Sequence, residues 1–225
     1  MEAVGPAAGV FVTGTGTEVG KTVVAAAIAR TLAAEGRGVA VFKPAVTGLD
    51  EGVETDHEIL RRASGSGQSD EEIAPYRYGP PASPHLAAAL AGEAIDPERL
   101  RAAARAAAGA ETIVCEGVGG LLVPLHEDYL VRDLAADLGY PLVVVAPPGL
   151  GTINHTLLTV EAARTAGLEV AAIVLNPWPE RPDAVERSNR ETLAALAGAP
   201  VQTFPNVDLA APGAWPPLYP PTLRR

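Results

Sequence analysis

Short apolar runs rich in β-branched residues alternate along the 225-residue chain with Ala- and Leu-rich amphipathic stretches. Residues 9–13, 38–43, 112–116, 141–146 and 170–176 read as buried strands, and 201–203 as a weaker sixth. Between them, residues 21–35, 97–108, 131–138, 153–166 and 183–196 carry the pattern of helices. Alternation of this kind implies an α/β fold, a mostly parallel sheet with helices on both faces and right-handed crossovers. In such sheets ligands collect outside the carboxyl ends of the strands. Lys43, Glu116 and Asn176 fall at predicted strand ends, and the segment from Gly14 to Gly20 follows the first strand directly. Four polar or glycine-rich features thus converge on one sheet edge.

Two stretches stand outside this alternation. Residues 47–84 are rich in Gly, Ser, Pro and acid, and a connection that long reads as a functional loop or a partly disordered one. Residues 205–225 hold six of the 21 prolines and cannot form a long helix. With no fixed-period repeat and no second hydrophobic core in the pattern, residues 1–225 read as one domain with a Pro-rich tail from about residue 205.

Composition narrows the function classes. Hydrophobic residues make up 48% and charged residues 20%, which supplies a core and excludes wholesale disorder. With 4% aromatics, that core must rest on Ala, Val, Leu and Ile. A formal charge of −10 argues against broad binding to nucleic acid or anionic membrane, so any phosphate ligand needs a local device. The single cysteine, Cys115, excludes an intramolecular disulfide framework and a cysteine metal cluster and fits a reducing cytosol. Glu2 stands where a leader would be basic, and no apolar run approaches about 18 residues, so a cytoplasmic protein is expected. Of 17 basic residues only Lys21 and Lys43 are lysines, which suggests positions where a compact ammonium is needed rather than a planar fork.

Lys21 closes the segment Gly14-Thr15-Gly16-Thr17-Glu18-Val19-Gly20-Lys21-Thr22, set between a strand and an Ala-rich helix. Glycines let successive N–H groups point at phosphate oxygens, and the helix N-terminus adds positive potential. Lys21 can reach the β- and γ-phosphates, and the Thr22 hydroxyl can ligate Mg²⁺. The spacing departs from Gly-x₄-Gly-Lys-Thr, since position 15 is Thr, but strand, turn, Lys-Thr and helix come in the required order. The fold expected is therefore P-loop NTPase-like and three-layered. A Mg²⁺ nucleotide site also needs carboxylates. Glu116 ends an apolar run and precedes Gly117-Val118-Gly119-Gly120, read as a second flexible turn; Asp56 lies in the loop region, where by spacing alone it reads equally as a helix N-cap, and Glu54 or Glu58 would compete for the metal role.

These residues carry a resemblance to dethiobiotin synthetases. The opening from Phe11 to Thr22 is similar to theirs, and Lys43-Pro44-Ala45-Val46-Thr47-Gly48 resembles their Lys-Pro-x-x-(Ser/Thr)-Gly segment. Asp56, Ser83-Pro84-His85, the Glu116–Gly120 segment, Gly151-Thr152-Ile153-Asn154-His155 and Asn176 follow in the family's order, from about Val10 to Val207. The resemblance implies an ATP-dependent ring closure in biotin synthesis. The vicinal diamine 7,8-diaminononanoate takes up CO₂ to give the cyclic urea of dethiobiotin, with release of ADP and phosphate. It implies that Lys43, Lys21 and Thr17 are catalytic and that Thr22, Asp56 and Glu116 hold Mg²⁺. Nucleotide contacts would come from Glu18, Val19, Gly20, Lys21, Thr22, Val23, Asp56, Glu116, Gly117, Val118 and Gly119. Asn176 would meet the adenine, bordered by Pro205, Asn206 and Val207. Thr47, Gly151 and Asn154 would contact the substrate, the last two receiving its carboxylate across a homodimer interface.

Two other readings share the strand–loop–helix core. A partition- or carrier-type nucleotide switch would not require Lys43-Pro44 with Thr47. The synthetase half of an amidotransferase needs a glutaminase domain with a nucleophilic Cys, which Cys115 is poorly placed to supply. His57, His85, His126 and His155 show no metal-ligand spacing.

Overall fold

A computed structural model describes residues 8–223. The strand β1 (Ala8–Gly14) leads through the glycine loop into α1 (Lys21–Ala34), followed by β2 (Val39–Phe42). A string of short elements comes next: β3 (Ala45–Val46), α2 (Asp56–Ser64), α3 (Asp70–Ile73), β4 (Tyr76–Arg77), α4 (Pro84–Leu90) and α5 (Pro97–Ala107). Then follow β5 (Thr112–Gly120), a hairpin of β6 (Pro124–His126) and β7 (Tyr129–Leu130), and α6 (Val131–Leu138). The chain continues with β8 (Leu142–Ala146), α7 (Thr152–Thr165), β9 (Val170–Trp178), α8 (Ala184–Leu196) and β10 (Val201–Pro205). Beyond β10 the described residues form two 3₁₀ turns, Pro212–Ala214 and Pro221–Leu223.

Six strands form one sheet in the order β10-β9-β8-β1-β5-β2, with every pairing parallel. These are the six strands expected, so the α/β fold with helices on both faces holds. Side chains alternate across the sheet as strand geometry requires. Val10, Val12, Val41, Val114 and Val145 pack beneath α1 and α2. Phe11, Phe42, Ile113 and Cys115 face the other way, onto α4, α5 and α6, while Val144, Ile173 and Leu175 meet α7 and α8. All three phenylalanines, Phe11, Phe42 and Phe204, are fully buried, and Ala and Val fill most of the rest.

Two expectations need correction. Residues 47–84 are not a structureless loop, because α2, α3 and β4 form there and bury Ile59, Leu60, Ile73, Tyr76 and Tyr78. Helix α3 is a single turn, too short for a periodic apolar stripe to show, and the nine residues of α2 are mostly polar between Gly- and acid-rich flanks. Both helix starts are secured by capping boxes, Thr55 with Glu58 and Ser69 with Glu72. The second correction concerns residues 117–120, which continue β5 instead of turning, and Gly120 pairs with Gly14. Glycine suits 117 because a Cβ there would lie 3.0 Å from Val131 and 3.1 Å from Phe11, tight enough that both side chains would have to shift. A residue without a side chain lets this strand pass close to its neighbours despite low strand propensity.

The short elements also fix the open edge of the sheet. Gln68 accepts a hydrogen bond from Val41 N at 2.8 Å and donates one to Val41 O at 3.1 Å. Lys43 N donates to Ile73 O at 2.8 Å. The backbone that carries Lys43 out of β2 is thus held from outside the sheet.

Candidate active site

The phosphate loop leaves β1 and enters α1 without a capping side chain. Glu18 takes a positive φ of 60° and Gly20 one of 84°, and Gly20 is the N-cap residue, with no side-chain hydrogen bond to the first turn. Free N–H groups at a helix start make an anion cradle. A Cβ at Gly20 would sit 1.9 Å from Asn176 Nδ2, so only glycine fits there. Lys21 is buried and its Nζ donates to Gly16 O at 2.9 Å, curling the side chain back over the loop. Burial holds its ammonium below the ordinary lysine range, and the charge of Lys43 adds to the effect.

Next to the loop lies a four-residue polar cluster. Lys43 Nζ stands 2.7 Å from Asp56 Oδ2 and 2.7 Å from Glu116 Oε1. Thr22 Oγ1 lies 2.8 Å from Asp56 Oδ1 and 2.8 Å from Glu116 Oε1, so its single proton serves two carboxylates. Lys43 is 2% exposed and Glu116 0%, depths at which charges persist only when paired. Burial opposes the charge of Lys43, but Glu116 and Asp56 outweigh it and hold the ammonium above its ordinary range. Burial likewise pushes the Asp56 carboxyl up, and Lys43 pulls it back below the usual carboxylate range. At neutral pH Lys43 is therefore an ammonium, not a base.

Burial pushes the Glu116 carboxyl up while Lys43 pulls against it, and Glu116 Oε2 is left buried with no partner. The hard oxygen donors of Thr22, Asp56 and Glu116 fit a Mg²⁺ ion, whose charge would favour the ionised form of Glu116. Among the described residues no group of three or more His, Cys, Asp and Glu could hold a metal, so such an ion would need phosphate and water oxygens as well. The competing acids are engaged elsewhere. Glu54 pairs with Arg62, and Glu58 closes the cap on Thr55 at 2.7 Å.

Asn176 ends the apolar part of β9, and its Nδ2 makes only a long contact of 3.5 Å with Val19 O. Its Oδ1 is buried and unpartnered. Pro205 pairs with Trp178 across the sheet, so the chain leaves β10 beside Asn176; Asn206 is exposed and Val207 half-buried. At the start of α7, Gly151 has a φ of 88° and again no side chain caps the helix. Asn154 is exposed there, while Thr152 and Thr156 are buried 3.4 Å apart.

The chain matches the family described as an AAA domain, AAA_26, over residues 8–205. It is 40% identical over 195 residues to the ATP-dependent dethiobiotin synthetase BioD of Bacillus subtilis (strain 168), covering 86% of this chain and 84% of that one. The corresponding protein of Rhodococcus erythropolis is 45% identical over 85% of both chains. That of Anaeromyxobacter dehalogenans (strain 2CP-1 / ATCC BAA-258) is 48% identical over 84% of this chain and 85% of its own. The chain belongs to the dethiobiotin synthetase family. Among solved structures, chloroplast FtsY from Physcomitrella patens superposes with a TM-score of 0.54 at 15% identity. The match covers 93% of this chain and 62% of FtsY, and at that identity it shows the fold alone.

Within this synthetase fold the expected residues fall into two groups. Thr22, Lys43, Asp56 and Glu116 are in direct contact, with Lys21 electrostatically coupled to them. The others lie outside this contact cluster, Asn176 reaching back to Val19 and Gly20 in the loop. Thr17 is exposed on the loop, its Oγ1 3.7 Å from where a Cβ of Gly119 would lie. Val23 is half-buried in the first turn of α1, Val118 is half-buried in β5, and Thr47 follows β3 without a side-chain hydrogen bond among the described residues. The sequence allowed a helix N-cap at Asp56; in the structure Thr55 is the N-cap and Asp56 the first helical residue. The Thr-x-x-Glu box of Thr55 and Glu58 was the available signal.

Proposed function

We propose that this chain is an ATP-dependent dethiobiotin synthetase, a ligase that forms C–N bonds by closing a cyclic urea on 7,8-diaminononanoate, with CO₂ as the carbon source. The contact of Lys43 with Glu116 and Asp56, beside an uncapped glycine loop, carries the reading. One amine of the diamine adds to CO₂ to form a carbamate. Its oxygen leaves poorly, so the γ-phosphoryl group of ATP is transferred to it, and the second amine then closes the ring and expels phosphate. Negative charge accumulates on the carbamate and on the transferring phosphoryl group, which fixed cations in a buried site stabilise. Lys43, held as an ammonium, supplies that charge beside the carbamate, and Lys21 and the loop N–H groups supply it at the phosphates. Thr17 and Thr47 orient the carbamate and substrate. Thr22, Asp56 and Glu116 would hold Mg²⁺, which would neutralise phosphate charge when bound.

Asn176 offers the adenine an amide edge with both a donor and an acceptor, and its unpartnered Oδ1 supports that role. Pro205, Asn206 and Val207 border the base, and Gly117 to Gly119 line the phosphate side. The uncapped start of α7 at Gly151 and Asn154 receives the substrate carboxylate. Leu150, 95% exposed beside it, supports a homodimer with this face at the interface. The protein works as one domain in the cytoplasm, and no helix among the described residues is long and apolar enough to cross a membrane.

The test is phosphate release from MgATP with and without 7,8-diaminononanoate and bicarbonate, joined to a mass spectrum of the product. Diamine-dependent release is expected, with a product heavier by one carbonyl less two hydrogens. ATP hydrolysis indifferent to the diamine would overturn the reading and favour a nucleotide switch.

A further inference from the structure

The Pro-rich stretch after β10 is bound closely to the rest of the molecule. Proline lacks an N–H, so such a stretch cannot satisfy its own carbonyls through helix or sheet. Here they are met by side chains. Arg30 of α1 donates to Gly213 O at 2.6 Å and Trp215 O at 3.1 Å, a two-pronged grip that suits a planar guanidinium. Arg62 of α2 donates to Leu209 O at 2.7 Å, Gln202 of β10 to Tyr219 O at 3.1 Å, and Trp215 Nε1 to Asp208 O at 2.7 Å. Thr31, the neighbour of Arg30, accepts from Leu218 N at 2.9 Å. Trp215, Leu218 and Leu223 are buried in the same cluster as Val24 and Ile28 of α1, and Val19 and Val207 pack against it.

This segment begins at Asn206 and Val207 and is fastened to the helix that starts at the phosphate loop. We propose that residues 208–223 clamp the base side of the nucleotide site to α1, with Arg30 the positioning residue that closes the clamp. The inference rests on the reading that Asn206 and Val207 border the adenine. Arg30 does not touch ATP. It sets the distance between the base-bordering segment and the phosphate-binding helix, and losing it frees one relative to the other.

The experiment compares ADP with inorganic tripolyphosphate, which has phosphates and no base, by calorimetry on the full chain and its Arg30→Ala and Arg30→Lys variants. Arg30→Ala is expected to weaken ADP binding and raise KM for MgATP about fivefold, leaving tripolyphosphate binding, kcat and the diamine KM within about twofold. Arg30→Lys, which keeps one donor, should recover part of the loss. Trp215→Phe, which keeps the packing but loses the bond to Asp208 O, should shift ADP binding in the same direction by less. Equal loss of ADP and tripolyphosphate binding, or a lower Tm with unchanged KM, would make the contact merely structural and overturn the proposal. If the unaltered protein binds ADP no tighter than tripolyphosphate, the base reading itself fails and the clamp falls with it. If it does bind ADP tighter and Arg30→Ala changes neither ligand, only the clamp fails.

Discussion

Helices α1 and α7 leave adjacent strands at the same sheet edge. Each starts from a left-handed glycine, Gly20 at φ 84° and Gly151 at φ 88°, with neither a capping side chain nor an acid in its first turn. By contrast, α2, α3 and α8 close their first turns with capping boxes, Asp183 and Glu186 serving α8. Glycine at an N-cap gives up a side-chain cap for roughly a few tenths of a kcal/mol and leaves the first-turn N–H groups free; in the proposed function, a ligand takes the place of each cap. Their surroundings differ. The start of α1 has Lys21 and Thr22 in it and Lys43, Asp56 and Glu116 against it. The start of α7 has buried hydroxyls at Thr152 and Thr156 and an exposed Leu150. A polyphosphate with its cation needs matched charges of both signs. A single carboxylate at the end of an aliphatic chain needs only N–H groups and an apolar approach.

Lys43→Ala should break the comparison most strongly, lowering kcat about a thousandfold while the ATP dissociation constant stays within about threefold. Equal loss of binding and turnover, read from calorimetry beside the kinetics, would show that Lys43 serves the nucleotide and not the carbamate. Gly20→Ala combines a strained φ with a contact 1.9 Å from Asn176, and ATP affinity should fall about a hundredfold. The same change at Gly151, where the nearest atom is 3.9 Å away, carries the strain alone. Its diamine KM should rise about fivefold with ATP binding untouched; a loss of ATP binding there would erase the distinction between the two helix starts. The smallest effect belongs to Cys115, which lies in β5 next to Glu116. Burial pushes its thiol well above the ordinary range, so thiolate is scarce at pH 8 and iodoacetamide should leave the native protein unmodified while labelling it in denaturant. Labelling of the native protein would show that the opposite face of the sheet, under α4, α5 and α6, opens to solvent.

Much of this contrast was legible in the sequence, and the rest was hidden for identifiable reasons. Lys43, Glu116 and Asn176 each follow an apolar run, and a run buried on both faces announces a parallel strand with its polar tip. Helix α6 was bounded to the residue, because its apolar stripe ends at Gly139. Asp56 was read as a candidate ligand or an N-cap but not as the first residue of α2, since acids and glycines on both sides mask a helix of nine residues. The run from Gly117 to Gly120 looked like a turn because glycine's low strand propensity conceals a pairing made by backbone alone. The burial of Trp215, Leu218 and Leu223 was equally hidden, since prolines signal irregular backbone and say nothing about what that backbone covers.

The amide of Gln68 has a consequence for how the protein behaves at high concentration. Strand β2 is the outermost member of the sheet, and its sequence Val39-Ala40-Val41-Phe42 is apolar throughout. An apolar edge with unmet N–H and C=O groups is a template on which a second chain can add a strand. Gln68 occupies both groups of Val41 as a neighbouring peptide would, yet offers no further strand to extend. Gln68 at Val41 and the backbone of Ile73 at Lys43 together close this edge of the sheet to a further strand.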